Sequence, residues 1–392
     1  MVRVRSIFAC GLIVLVAETA GARASVSTAT ALGPLPAVAV VPQPRSVRVL
    51  DDAYVWPANV RIRAAGSGAR ESTGPLRAYL AENGVAASLA GAHEGGDVVV
   101  SITGGAGRQL GSEGYALAVS RAEIAVVART PRGLFYAVQT LQQISARSGG
   151  HLRTRAVSIV DRPAYAWRGV HLDVARHFFS VPVIERYIDV AAHYKLNVFH
   201  WHLTDDQAWR LESSRYPALT AGVAHYSRAD VRRIVAYAAR RYVTVVPEID
   251  LPAHANAALH AYPRLACGAG TICTNAAGLA FARDVLGDAI AQFPSPYVHA
   301  GGDEVPAPAL RAQPQFTRDL ERVVESRGRR FAGWDEIVTP ELSPRALVTV
   351  WTSQRRAAVA AARGNDVVIA TGPFHFDSVQ GDAAQEPRGT AH

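Results

Sequence analysis

Two adjacent carboxylates follow a short apolar stretch in the second half of the chain. Asp303 and Glu304 end the sequence YVHAGGDE, which reads as a buried strand running into two glycines. Two acids at a strand end predict acid–base chemistry, because one carboxyl group can transfer a proton while the other stabilises charge. Gly301 and Gly302 predict room for a ligand beside the backbone. The alternatives are a metal site and a structural acid pair.

A second group of polar residues lies in the sequence HWHLTDDQ. His200 and His202 are two residues apart, so on a strand they would share one face. They could bind a metal ion, with His254 or Asp205 as a third ligand. The alternative is a pair of histidines bonded to carboxylates beneath a sugar.

The sequence VPEIDLPAH adds a third cluster of acids and a histidine. His254 could pair with Glu304 or Asp205 and help to set the pKa of a general acid. A surface-loop histidine is the alternative. We favour a sugar site over a metal site because Trp201 and Trp209 flank the histidine stretch, and aromatic rings commonly pack on sugars.

Two further tryptophans, Trp334 and Trp351, each end a strand-like run. Packing in the core is one explanation for them. Because several acids end neighbouring runs, we expect these two rings to contact a sugar instead.

The elements that position these residues are strand–helix repeats, which predict a parallel sheet with crossover helices. The expected strands are 168–173, 196–203, 243–249, 297–303, 329–335, 347–352 and 366–371. Chemistry-capable residues recur at the end of the first six, as in a TIM barrel, where function gathers at the carboxyl ends of the strands. A closed barrel has eight strands, so we expect the eighth strand to be missing from this chain.

A smaller α/β domain is expected before the barrel, over residues 41–160, and the barrel itself over 161–392. The smaller domain should contain a strand at 97–102, a hairpin of 114–119 with 124–128, and an amphipathic helix at 132–143. It contains no cluster of titratable groups, so we expect it to support the barrel and to carry no chemistry.

The first 24 residues have the pattern of a signal peptide. A basic start and an apolar run at 7–17 lead to the small-residue cleavage pattern at 22–24. Residues 25–40 then read as a flexible lead-in, and the mature chain is expected to be secreted or periplasmic. In such an oxidising compartment, Cys267 and Cys273 predict a disulfide, with a zinc half-site as the alternative.

Composition excludes some classes of partner. The formal charge is +8, which could suggest nucleic acid, but Lys195 is the single lysine and the arginines are scattered. Because no basic cluster with interleaved aromatic residues occurs, we expect no nucleic-acid partner. After removal of the leader, no segment is long and apolar enough for a membrane span.

Five motifs lie along the chain: RGVHLDVARHF, LNVFHWHLTDDQAWR, VVPEIDLPAH, HAGGDE and GWDE. With them, the chain from about residue 41 to the end resembles glycoside hydrolase family 20, the β-N-acetylhexosaminidases. The resemblance implies retaining, substrate-assisted hydrolysis of terminal N-acetylhexosamine from an oligosaccharide or glycoconjugate, through an oxazolinium intermediate. Asp303 would orient the acetamido group, and Glu304 would be the general acid and then the base. No metal or other cofactor is implied.

The resemblance also assigns the pocket residues. Arg168 would bind sugar hydroxyls, while Asp205 and His254 would form a polar network that touches Glu304. The rings at the strand ends would enclose the acetamido group, and Asp377 would bind the substrate. These implied substrate-binding residues are Arg168, Asp205, His254, Trp334, Trp351 and Asp377.

Four departures from the family pattern keep a second function open. Ala253 replaces a usual glycine, His375 stands where a tyrosine is expected, the stretches 215–227 and 305–328 are short, and the eighth strand is absent. The rival interpretation is therefore an impaired or inactive family member that at most binds carbohydrate.

Overall fold

The computed structural model describes residues 37–91, 94–268 and 270–371, which form two consecutive α/β units. In the first unit, eight strands form one mixed sheet in the order β1-β8-β5-β6-β4-β2-β3, and β7 pairs with β8. The elements are β1 (Ser46–Val55), β2 (Asn59–Ala65), α1 (Gly74–Glu82), β3 (Ala86–Leu89), β4 (Val98–Ile102), β5 (Tyr115–Val119), β6 (Ile124–Ala128), α2 (Pro131–Gln143), β7 (Ser145–Ser148) and β8 (His151–Asp161).

Local sequence explains the parts of this unit that were predicted. β5 and β6 form the expected antiparallel hairpin, and the Ser120 hydroxyl accepts the N–H groups of Ala122 and Glu123 in its turn. The predicted helix is α2, which begins at Pro131 after Thr130 accepts the N–H of Gly133. Proline is suited to a first helical position, and threonine is a good helix cap.

The second unit is the predicted parallel sheet. Over the part of the chain that the structure describes, seven strands lie in chain order, β9-β10-β11-β14-β15-β16-β17, and a separate two-stranded hairpin is formed by β12 and β13. The elements are β9 (Gly169–Asp173), α3 (Val181–His193), β10 (Val198–His202), α4 (Arg228–Ala239), β11 (Thr244–Glu248), α5 (Asn256–Ala261), β12 (Ala266–Gly268), β13 (Thr271–Ile272), α6 (Ala276–Gln292), β14 (Tyr297–His299), α7 (Ala307–Leu310), α8 (Gln313–Glu325), β15 (Arg330–Trp334), β16 (Leu347–Val350), α9 (Gln354–Ala362) and β17 (Asp366–Ile369).

Alternation along β10 separates the core from the site. Phe199 and Trp201 are fully buried and stack on each other, whereas His200 and His202 lie on the opposite face. Trp201 also packs on Tyr226, which is itself fully buried. The expectation that Trp201 surrounds a sugar site is therefore wrong, because a residue one position away on a strand faces the other side.

Trp209 is likewise buried, and its ring packs on Phe281 of α6. It too belongs to the core and does not flank a sugar.

Arg168 joins the two units at the amino-terminal end of the barrel. Its Nη2 donates to Glu113 Oε2 of the first unit at 2.7 Å, and its Nε donates to the carbonyl of Lys195. Both charged side chains of the Arg168–Glu113 pair are largely buried. Because Arg168 precedes the five residues of β9, about 16 Å of strand separates it from the carboxyl end. This placement contradicts the expectation that Arg168 binds sugar hydroxyls.

No helix among the described residues combines the length and the apolar character that crossing a bilayer requires. The predicted signal peptide at 1–24 and most of the lead-in lie outside the described residues.

Candidate active site

The turn at residues 301–304, called the acid turn below, follows β14 and has an unusual backbone. Gly301, Gly302 and Glu304 all have positive φ, at 67°, 94° and 50°. A Cβ at Gly301 would lie 1.6 Å from Asp250 Oδ1, and one at Gly302 would lie 2.4 Å from Ile337 Cγ2. The prediction that the glycines leave room for a ligand is therefore wrong. Their space is filled by side chains of the protein, one of which is an additional buried acid.

His254 lies between the two predicted catalytic acids. Its Nε2 is 3.4 Å from Asp303 Oδ2 and 3.2 Å from Glu304 Oε2, so one nitrogen reaches both carboxylates. Glu304 is the more exposed of the two acids, since 58% of its side chain is exposed to solvent against 17% for Asp303. Burial disfavours a charged imidazole, but the close contact with Asp205 and the charges of the nearby acids raise the pKa of His254 to about 10.

Asp205 connects this histidine to the wall of the barrel. Its Oδ1 lies 3.3 Å from His254 Nδ1, and its Oδ2 lies 2.8 Å from both His202 Nε2 and Arg176 Nη1. Burial by itself would raise the pKa of Asp205, but these cationic neighbours outweigh burial and lower it. Asp205 is therefore an anion that holds three cationic side chains in place.

Arg176 is the arginine that lies at the carboxyl edge of the parallel sheet, and the sequence did not single it out. Asp173 ends β9, and its Oδ1 accepts the N–H groups of Ala175 and Arg176 while its Oδ2 accepts from Arg176 Nη1 at 2.8 Å. Arg176 thus lies at the carboxyl end of the strand, whereas Arg168 lies at the amino end. Both arginines occur in the stretch WRGVHLDVARHF. Their positions before and after the strand were the signal that could have separated them.

Glu248 ends β11 inside a cage of nitrogen atoms and has no exposed surface. The nitrogens within 3.3 Å of its oxygens belong to His171, His200, His202, His299 and Trp334. Burial opposes ionisation, but the imidazole charges, that of His202 foremost, lower the pKa of Glu248 well below its usual range. His202 lies between Glu248 and Asp205, and despite burial its pKa is raised well above the usual value. Burial lowers the pKa of His200 to about 3, so its ring is neutral.

Asp250 is a further buried acid beneath the turn. Its backbone N–H donates to Thr204 Oγ1, and its Oδ1 accepts the N–H of Gly302 at 3.3 Å. Burial, with the charge of Asp303, raises the pKa of Asp250 well above its ordinary value. Burial also raises the pKa of Asp303, which the positive charge of His254 opposes. Asp250 thus supports the acid turn as a hydrogen-bond acceptor and is not open to a ligand.

The two tryptophans at strand ends are half-buried. Trp334 Nε1 donates to Glu248 Oε1 at 2.7 Å, and Trp351 Nε1 lies 3.5 Å from Glu336 Oε2. Glu336 Oε1 accepts the N–H of Glu304, so this second acid of the GWDE motif holds the acid turn. Each ring therefore contacts an acid at the carboxyl edge of the sheet, Glu248 for Trp334 and Glu336 for Trp351. The predicted substrate residue at position 377, like His375, lies outside the described residues.

A pocket of about 310 Å³ opens beside His254 and Glu304. Gly270 and Thr271 also line it, and they belong to the loop that a Cys267–Cys273 disulfide closes. The pocket lies beside the exposed carboxyl group of Glu304, and Asp303, Trp334 and Trp351 are not among its lining residues. Ala253, which replaces a usual glycine, also lines the pocket, and His254 remains within reach of both acids.

Three groups of side chains among the described residues bring possible metal ligands within 4.8 Å of one another. They are His171 with His200 and Glu248, His202 with Glu248 and Asp250, and Asp205 with Asp250 and His254. The metal alternative that combined His200 with His202 is not among these described groups.

Comparison with known proteins identifies the chain. The family model described as glycosyl hydrolase family 20, catalytic domain, matches residues 165–392, and the model for domain 2 of that family matches residues 37–162. The chain belongs to glycosyl hydrolase family 20. The resemblance drawn from the motifs is confirmed, and so is an α/β fold with a barrel-type parallel sheet after a family 20 domain 2.

Family 20 relatives cover most of this chain. A β-hexosaminidase of Porphyromonas gingivalis is 35% identical over 71% of the chain and 43% of its own length. A β-N-acetylhexosaminidase of Cellulomonas fimi is 38% identical over 70% of the chain and 61% of its own length. The chain thus spans about half the length of the curated relatives it matches.

Solved family 20 structures agree with the fold. A mutant β-hexosaminidase of Streptomyces plicatus, in complex with its product GlcNAc, superposes with a TM-score of 0.80 at 32% identity, over 93% of this chain and 79% of that chain. The β-N-acetylhexosaminidase of Streptomyces coelicolor superposes with a TM-score of 0.77 at 33% identity, over 86% and 76%.

Proposed function

We propose that this chain is an exo-acting β-N-acetylhexosaminidase that removes terminal N-acetylglucosamine or N-acetylgalactosamine by substrate-assisted, retaining hydrolysis. One observation carries the proposal. Asp303 and Glu304 are consecutive, yet both contact His254 Nε2, with Asp303 sheltered and Glu304 open to the pocket. Structures of related enzymes contain bound N-acetylglucosamine, which supports this class of ligand.

The adjacency of the acids selects the mechanism. A double-carboxylate retaining enzyme needs two carboxyl groups about 5–5.5 Å apart on either side of the anomeric carbon. Two neighbours on one turn, tied to one imidazole nitrogen, cannot flank the sugar in this way. The substrate's own acetamido oxygen is the nucleophile that removes the need for a second carboxylate.

The proposed steps follow from the exposure of the two acids. Glu304 donates its proton to the glycosidic oxygen as the bond to the anomeric carbon breaks and the acetamido oxygen bonds to that carbon. Asp303 accepts a hydrogen bond from the acetamido N–H and stabilises the positive charge of the oxazolinium ring. Glu304 then takes a proton from water, which attacks the anomeric carbon and reopens the ring.

The surroundings support these roles. His254 is cationic at neutral pH and opposes the burial that would neutralise Asp303. Arg176 lies at the same carboxyl edge, so we assign to it the contact with sugar hydroxyls that the sequence had suggested for Arg168. We assign to Trp334 and Trp351, which lie at the carboxyl ends of neighbouring paired strands, the enclosure of the acetamido group.

The test is release of nitrophenol from a nitrophenyl N-acetyl-β-glucosaminide by the full chain. We expect Glu304→Gln to lower kcat by about 10²–10⁴-fold, the usual contribution of a general acid. Glu325→Gln removes a surface carboxylate from α8 and should leave the rate unchanged. A wild-type rate no higher than that of Glu304→Gln would refute the hydrolase function. Measurable GlcNAc binding in that case would favour the rival, a carbohydrate-binding but inactive family member.

The acetamido role has its own test. A thiazoline mimic of the oxazolinium should inhibit the wild-type chain, and the matching nitrophenyl glucoside, which lacks the acetamido group, should be a poor substrate. Equal cleavage of the glucoside would refute substrate assistance while leaving the hydrolase function in place.

We also propose that the chain acts outside the cytoplasm on glycans or chitin oligosaccharides. The leader pattern at 1–24 and a disulfide between Cys267 and Cys273 support export. Cell fractionation that recovers the chain with intact leader in the cytoplasm would contradict it.

A further inference from the structure

Two histidines and a carboxylate meet at one level of the barrel wall. His171 on β9 and His200 on β10 are direct neighbours in the parallel register, and their ring centroids are 4.7 Å apart. Glu248 ends β11, the next strand, and directs its carboxylate to both rings. None of these three side chains has a part in the proposed catalytic steps.

The distances between the three groups suit a tetrahedral ion. His171 Nε2 lies 3.3 Å and His200 Nε2 lies 2.9 Å from the same oxygen, Glu248 Oε2. With bonds of about 2.0–2.2 Å, the ligand atoms of tetrahedral Zn²⁺ lie roughly 3.3–3.6 Å from one another. All three candidate atoms are within 4.8 Å of one another, so rotation of the two imidazole rings would bring them to these separations.

The direction of the His200 ring is a second, independent observation. His200 is more than nine-tenths buried, and its Nε2 has no hydrogen-bond partner although Glu248 Oε2 is 2.9 Å away. The nitrogen therefore does not point at the oxygen. In a metal site a ligand nitrogen points at the ion and not at a neighbouring ligand. His200 Nε2 has this relation to Glu248, whereas His171 Nε2 is within hydrogen-bond geometry of Glu248 Oε2 and would turn from it on binding an ion.

His171 supplies access to the group. Its side chain is 38% exposed, whereas Glu248 is fully buried. An ion could therefore enter from the solvent side of His171 and retain a water molecule there as a fourth ligand.

We propose that His171, His200 and Glu248 form a binding site for Zn²⁺ within the barrel wall. Two imidazoles and one carboxylate are a donor set that zinc commonly uses. The ion would act as an inhibitor and not as a cofactor. Glu248 Oε1 accepts the hydrogen bond of Trp334, so drawing the carboxylate toward an ion would disturb the ring to which we assign contact with the acetamido group.

The competing account is a hydrogen-bonded cage without a metal. His202 Nδ1 also lies 2.9 Å from Glu248 Oε2, and His299 Nδ1 lies 3.1 Å from Oε1. These contacts could stabilise the carboxylate by charge attraction without help from His171 or His200. The two accounts differ in whether the half-exposed His171 is needed for ion binding.

The experiment is a calorimetric titration of the full, untagged, chelator-treated chain with Zn²⁺, repeated with Co²⁺ to observe the visible absorption of tetrahedral cobalt. We expect one ion per chain. His171→Leu should weaken binding at least about tenfold and abolish the cobalt band, and His171→Cys should restore both. His260→Leu, at an exposed histidine of α5, should bind as the wild type does.

Absence of wild-type binding at submillimolar Zn²⁺, or equal binding by wild type and His171→Leu, would overturn the proposal. A second arm compares the Zn²⁺ sensitivity of turnover, with each variant referred to its own metal-free rate. Zinc should inhibit the wild type and not His171→Leu. Because titration needs no turnover, a chain without hydrolase activity would still decide the question.

Discussion

Replacement of Trp334 by phenylalanine tests whether its indole holds the buried acid of the site. Trp334 Nε1 donates to Glu248 Oε1 at 2.7 Å, and Glu248 has no exposed surface. A hydrogen bond to a charged group contributes about 1.5–3 kcal/mol, and a buried acceptor left with one donor fewer cannot turn to water. Phenylalanine keeps most of the ring. We therefore expect Trp334→Phe to lower the free energy of unfolding by about 2 kcal/mol.

The matched control is Trp351→Phe, at the end of the next strand. Trp351 Nε1 lies 3.5 Å from Glu336 Oε2, at the outer limit for a hydrogen bond, and Glu336 is not fully buried. Its substitution should cost less than about 1 kcal/mol. Thermal melting at neutral pH can resolve the difference, because 1 kcal/mol shifts the melting temperature by about 2–4 °C in a domain of this size.

Equal shifts for the two variants would refute the reasoning. So would a Trp334→Phe variant within about 0.5 kcal/mol of the wild type, the range of an ordinary surface substitution. The second result would show that the four imidazoles stabilise Glu248 without the indole.

Three further predictions address residues around the site. The pKa of His254 is raised from 6.5 to about 10, so the stability that its protonated ring contributes should be complete below pH 6.5 and lost as the pH rises toward 10. The difference in melting temperature between wild type and His254→Asn should therefore shrink over that range. A difference that stays constant with pH would contradict this prediction. Arg168→Met should lower the free energy of unfolding by about 3–5 kcal/mol, because it breaks the nearly buried ion pair with Glu113, and it should leave KM unchanged. A raised KM without loss of stability would instead show that Arg168 binds sugar hydroxyls. Replacing Cys267 and Cys273 by serine should cost up to about 2 kcal/mol, as expected for so short a loop, and wild type with reductant should melt as the double variant does.

Much of the fold follows from short-range patterns. All seven parallel strands occur within one or two residues of the expected starts, because apolar runs and polar strand ends mark them locally. The end of the run at 297–303 was predicted less well, since β14 starts at Tyr297 as expected but ends at His299. The glycines and acids that follow form the turn with positive φ, and alternation gives no sign of that change.

The contacts of the site were less predictable. That His254 reaches Asp303, Glu304 and Asp205 at once depends on the placement of three separate strand ends. The cage around Glu248 likewise depends on the register of β9, β10 and β11, which pairs His171 with His200 and His202 with Glu248.

The sequence by itself determined the parallel sheet, the acid pair Asp303 and Glu304, and a chemistry that suits adjacent carboxylates. Residue type, strand period and spacing carry that information locally. Tertiary structure decided that Arg176 and not Arg168 lies at the mouth, and that Trp201 packs in the core. The physical reason is that a long side chain takes its partners from the strand end and the face on which its residue lies. Those partners come from distant parts of the chain and meet only when the sheet forms.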